Sequence, residues 1–139
     1  MSLAGPAANF TLVLLAGILM HVGIFAGIFQ PPQQLNSLHL VDPAAPGMME
    51  VAARFLSILF SLNLLLGTFN LLPIPPLDGF SAVGLVLPTG LAARWDRLGH
   101  ALRGYSFIAL LLCWQLFERI YWPVFAIGVK LLYPHAMYQ

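Results

Sequence analysis

The chain has 139 residues, of which 60% are hydrophobic and only 8% charged. Soluble domains usually carry about 25% charged residues, so so little charge excludes a surface built for water and makes lipid the natural solvent. A net charge of +1 without a basic cluster excludes a nucleic-acid partner, which needs concentrated cations for its phosphates. The one cysteine, Cys113, excludes an internal disulfide and a cysteine metal centre.

The first predicted element is a membrane helix over 7–29. Its apolar run is long enough to cross a bilayer, and it lacks the basic start and cleavage context of a signal peptide. Pro6 falls in the opening turn, where its missing N–H costs nothing. The small residues Ala4, Gly5, Ala7 and Ala8 allow another helix to pack closely against this end. Asn9 is placed to cap the helix or to bond a neighbour. His21 is its one ionisable group, and with no Tyr, Asp or Glu in its helical neighbourhood it reads as a neutral, hydrogen-bonded packing residue.

Residues 30–47 hold Pro31-Pro32, Asp42-Pro43 and Pro46-Gly47, all breaker signals. The segment, including His39 and Asp42, is expected to be a solvated loop. A second membrane helix is predicted over 48–72. Asn63 and Asn70 lie seven apart, on one face, and buried amides in lipid seek partners across helices. The helix must then stop, because three prolines fall within Pro73-Ile74-Pro75-Pro76; proline removes amide donors and disfavours helix in the residue before it.

Directly after that break stands Asp78. A carboxylate at or near membrane depth is costly and marks a candidate functional site. Phe80 to Leu87 is a short apolar piece, too short to cross. Residues 89–104, with Arg94, Arg97 and Arg103 against Asp96, are expected to form a basic loop, and the positive-inside tendency puts that loop and Asp78 on the cytoplasmic side. The start of the first helix then falls on the same face. Two further helices are predicted, over 105–122 and a short one over 123–133 beyond Pro123, with Trp114, Tyr121, Trp122 and Tyr133 as interface anchors. The whole is expected to be a single all-α polytopic membrane domain over 1–139, with three to four hydrophobic helices and a proline-broken segment before Asp78. Irregular backbone at that depth is tolerated only where protein packs around it or it lines a cavity. One acid by itself cannot hold a catalytic zinc, which needs about three protein ligands.

The stretch Asn70-x-x-Pro73-x-Pro75-x-Leu77-Asp78-Gly79 resembles the signature of the site-2 protease family of intramembrane zinc metallopeptidases. Ala4-Gly5-Pro6-x-x-Asn9 resembles a second box of that family, in the family's order. The resemblance implies an enzyme of the bacterial inner or plasma membrane that cleaves membrane-embedded peptide bonds of a transmembrane substrate. Carried over by position, it implies that Asp78 is the third zinc ligand. It implies that Asn70 stabilises an oxyanion, that Pro73, Pro75 and Gly79 shape the break, and that Gly5, Pro6 and Asn9 form the upstream box.

The family's His-Glu-x-x-His helix, two imidazoles with a glutamate as base, has no counterpart here. The histidines are His21, His39, His100 and His135, and none precedes a glutamate. The chain is therefore expected to be the C-terminal part of such a protease, inactive alone and holding no zinc by itself, with an upstream segment bearing that motif as a partner. The alternative is a non-catalytic, degenerate protease-like membrane protein that binds partner helices.

Overall fold

The structure, a computed structural model, describes residues 3–134; His135 lies outside the described residues. The expected all-α class holds. In chain order the elements are α1 (Ala4–Phe25), a two-residue strand β1 (Phe29–Gln30), its partner β2 (Asp42–Pro43), α2 (Met48–Asn70), α3 (Asp78–Val86), α4 (Thr89–Leu102), a 3-10 turn (Arg103–Tyr105) and α5 (Ser106–Leu132). Helices α1 and α2 are each long and apolar enough to cross a membrane. The bent pair Thr89–Gln115 and Phe117–Leu132 makes a third candidate if its halves cross as one. Much of α1 faces outward, with Leu14, Ile18, Leu19 and Val22 all exposed, as a helix solvated by lipid allows.

Helix α1 stops four residues short of the predicted Phe29. Gly27 takes φ of 72°, the left-handed region that costs a side-chain-bearing residue energy. The Gly27 N–H donates to the Ile24 carbonyl at 3.1 Å and the Ile28 N–H to the Gly23 carbonyl at 2.9 Å. This paired arrangement satisfies the last carbonyls and closes the helix. His21 donates from Nδ1 to the Gly17 carbonyl one turn back, at 3.0 Å.

The single domain expected from the sequence comprises two compact units, Asn9–Leu65 and Met1–Ala8 with Leu66–Gln139. In the first unit, the segment expected to be a solvated loop is more ordered than its breaker residues suggest. Strand β1 pairs antiparallel with β2, Phe29 opposite Pro43 and Gln30 opposite Asp42. Asp42 Oδ2 accepts the Gln33 N–H at 3.1 Å, and the backbone of His39 bridges to that of Asn36. The order has a simple cause. Leu40 and Val41, apolar residues in a polar segment, are 0% and 1% exposed. Burying them drags the backbone inward, and its polar groups then need partners. Ser57 of α2 supplies one: its buried Oγ accepts the Leu40 N–H at 3.0 Å and donates to the Ala53 carbonyl at 2.8 Å. Asn63 is buried and donates to the Leu59 carbonyl of its own helix at 2.8 Å, so this bond runs along α2 and not to another helix.

The second unit departs from expectation at both of its later segments. Residues 89–102 are helical, not a loop. Leu91, Trp95, Leu98 and Leu102 recur at helical spacing, and that periodicity outweighs the arginines between them. Pro123 lies inside α5 instead of ending it; a proline deletes one donor and one bond, and the flanking apolar turns continue. Tyr121, expected as an interface anchor, is 8% exposed and sits in a row of rings with Phe117 and Phe125.

Ser57→Ala removes the acceptor of a buried N–H and is expected to cost about 1–3 kcal/mol, read as a lower denaturant midpoint in detergent micelles and faster proteolysis within 31–46. Ser61 is the control: its buried Oγ has no partner among the described residues, so Ser61→Ala should leave the midpoint unchanged or raise it.

Candidate functional site

The site lies in the second unit, at the break between α2 and α3. Seven residues, 71–77, connect the helices, and three of them are prolines without an N–H. Each of the four remaining donors is used. Leu71 donates to Thr68 at 3.2 Å, Leu72 to Phe69 at 3.1 Å, Ile74 to Leu72 at 2.8 Å and Leu77 to Ile74 at 2.8 Å. The last bond closes a turn around the cis Pro75–Pro76 peptide. A non-helical segment with no orphan donor is one that a low-dielectric setting can accept. The α2 side of the break is held by Phe69, whose ring meets Phe117 edge-on at 5.2 Å and Trp114 at 6.3 Å.

Asp78 opens α3 as its first helical residue, after Leu77, and is half-buried. Negative charge is favoured at that end of a helix, where free N–H groups point outward. A second helix start comes to the same carboxylate. A Cβ built on Gly5, in the first turn of α1, would stand 2.7 Å from Asp78 Oδ2. Two helix N-termini therefore converge on one acid, and only the missing side chain at position 5 leaves room for it.

Gly79 is as constrained: a Cβ there would strike the carbonyl of Leu71. The first turn of α3 thus packs directly on the carbonyls of Leu71 and Leu72, just beyond the end of α2, which sets where Asp78 stands. Pro6 is buried beside Gly5 in the chain, and Asn70 is the half-buried last residue of α2. The structure thus brings together Gly5, Asp78, Gly79 and the Pro73 and Pro75 turn. Asn9 stands half-buried one turn further along α1, in the first unit.

Helix α4 supports α3 from another side. Phe80 and Trp95 stack at 4.5 Å and 15°, Trp95 Nε1–H donates to the Phe80 carbonyl at 2.8 Å, and Gly99 lies under the Phe80 ring. A cavity of about 380 Å³ opens between these helices, lined by Pro75, Pro76, Ser81, Asp96, His100 and Arg103 among others. Asp96 and His100 of α4 and Arg103 of the turn after it stand at i, i+4 and i+7, a spacing that marks one face once 89–102 is helical.

Zinc needs about three protein ligands at a catalytic site. Among the described residues no group of three or more His, Cys, Asp or Glu is placed to hold a metal ion. Asp78 is thus a single candidate donor, and the donor set present does not fit a complete zinc centre.

No protein-family model matches the chain, and no solved structure matches it. The chain is 33% identical over 135 residues to the Bacillus subtilis (strain 168) protein named "Putative zinc metalloprotease YwhC". That alignment covers 91% of this chain and 51% of the relative, so the chain spans about half the length of the protein it matches. The likeness supports a metalloprotease-like family.

The glycine contacts make a prediction that needs no metal. Gly79→Ala should destabilise the detergent-solubilised chain by about 1–3 kcal/mol, because its Cβ meets backbone. Gly84→Ala, whose Cβ would only touch the Trp95 ring at 3.4 Å, should be neutral or stabilising by up to about 1 kcal/mol. Thermal unfolding followed by circular dichroism separates the two.

Proposed function

We infer that this chain forms the aspartate-bearing part of an intramembrane zinc metallopeptidase of the site-2 protease type. The observation that carries the reading is the meeting of the two resembling boxes at one carboxylate: Gly5 of the first stands against Asp78 of the second. The similarity to a protein named a zinc metalloprotease supports the same direction. Asp78 offers a carboxylate oxygen to a metal whose remaining ligands come from residues other than those described here. The work of this chain is positional. Gly79 sets the origin of α3, and Gly5 keeps the space at Oδ2 clear.

Asn70, at the end of α2, offers its side-chain amide to the carbonyl oxygen of a bound peptide, where a donor is worth most as negative charge develops. The substrate is a transmembrane segment, since a site at the end of a membrane-length helix meets substrates from the bilayer. Arg94, Arg97 and Arg103 follow Asp78 closely in sequence, which by the positive-inside tendency favours a cytoplasmic placement of the site in a bacterial plasma membrane.

The test is complementation. The 139-residue chain is co-expressed with a membrane segment carrying His-Glu-x-x-His, and the purified pair is assayed for bound zinc and for cleavage of a transmembrane peptide. Both are expected to appear together. Asp78→Ala should lower both by more than about a hundredfold, since even residues behind a ligand typically cost 10- to 100-fold. Gly5→Ala, which intrudes on Asp78 Oδ2, should lower zinc retention with helicity preserved. Stable pairing with neither zinc nor cleavage would instead favour a non-catalytic, protease-like module that binds partner helices.

A further inference from the structure

The α3–α4 pair carries charge and apolar surface that the proteolytic reading leaves unused. An apolar groove of about 290 Å³ runs between the two helices, lined by Val83, Leu87, Leu91, Trp95 and Leu98, with the cation Arg94 also on its wall. The groove opens onto uncovered apolar surface: Leu91 is 51% exposed and Leu98 47%, with Leu85 and Val86 more exposed still. Leu91 and Leu98 are seven apart, so they form one stripe along α4. Along the same helix and the turn after it stand Arg94, Arg97 and Arg103, against one acid, Asp96. None of the three arginines forms an ion pair with a described residue.

Each half of this surface asks for a different chemistry. The leucine stripe is favoured against hydrocarbon, at roughly 25 cal/mol per Å² covered. The unpaired guanidiniums match phosphate, for which their planar fork is suited. A helix with an apolar stripe and arginines beside it lies in the membrane interface, and its neighbours in the chain, α2 and α5, include a membrane-length helix and a candidate for part of another span. One molecule supplies both chemistries in the right connectivity. We propose that the α3–α4 groove binds an anionic phospholipid, with an acyl chain along Val83, Leu87, Leu91 and Leu98 and the phosphate on Arg94, supported by Arg97. The proposal rests on α2 lying in a membrane and not on any proteolytic activity.

Trp95 lines the groove and serves as its reporter. The chain has three tryptophans, so the W114F/W122F variant leaves Trp95 alone. The full 139-residue chain in neutral detergent micelles is titrated with dioctanoyl phosphatidylglycerol, with dioctanoyl phosphatidylcholine, and with glycerol 3-phosphate. A saturable change in Trp95 emission is expected with phosphatidylglycerol, at least about tenfold weaker binding with phosphatidylcholine, and no response to glycerol 3-phosphate over the same range. Arginines near an anionic surface each contribute enough that R94Q/R97Q should weaken the phosphatidylglycerol response by roughly thirtyfold, while R94K/R97K retains most of it. Both side chains are exposed, and unchanged helicity confirms that the variants fold. Equal affinity for the two lipids, indifference to R94Q/R97Q, a response to glycerol 3-phosphate alone, or no response to any of the three overturns the proposal.

Discussion

The connection between α2 and α3 is possible because it leaves no backbone donor unpaired. In water such a turn could lean on solvent, but near a bilayer an orphan N–H costs several kcal/mol. Three prolines remove three donors outright, and tight local bonds absorb the other four. Everything at the candidate site follows from that turn. It brings Gly79 against the Leu71 carbonyl, which fixes the start of α3 and therefore the position of Asp78.

Around Asp78 the geometry is that of a prepared carboxylate, not of a finished metal centre. Two helix starts offer it positive potential, and a glycine keeps one oxygen accessible. One carboxylate does not make a zinc site, and no sufficient donor cluster exists among the described residues. The chain spans about half of a relative named "Putative zinc metalloprotease YwhC".

Away from the site, the same rule about unpaired polar groups organises the first unit. Leu40 and Val41 are driven inward, and Ser57 answers the N–H that goes with them. Proline and aspartate content marked 30–47 as a loop, and most of it is one. Two apolar residues inside it were enough to anchor it, a tertiary effect that local composition does not weigh. Residues 89–102 are helical against the expectation of a basic loop for a related reason. Its arginines carry the charge, while the recurrence of Leu91, Trp95, Leu98 and Leu102 at spacings of four, three and four dictates the helix.

The sequence by itself determined the class of the molecule, since so little charge admits no other solvent than lipid. It also determined where α2 must end, because three prolines leave a helix no means of continuing, and it singled out Asp78 as the acid that needs a reason. It could not say where α1 stops short, because that depends on a left-handed Gly27 and two capping bonds. Nor could it say that Gly5 would face Asp78. The two residues are 73 positions apart, and only the packing of a side-chain-free turn against a carboxylate brings them within reach. Spacing along a chain predicts which residues share a helix face; which helix ends meet is decided by the three-dimensional fit.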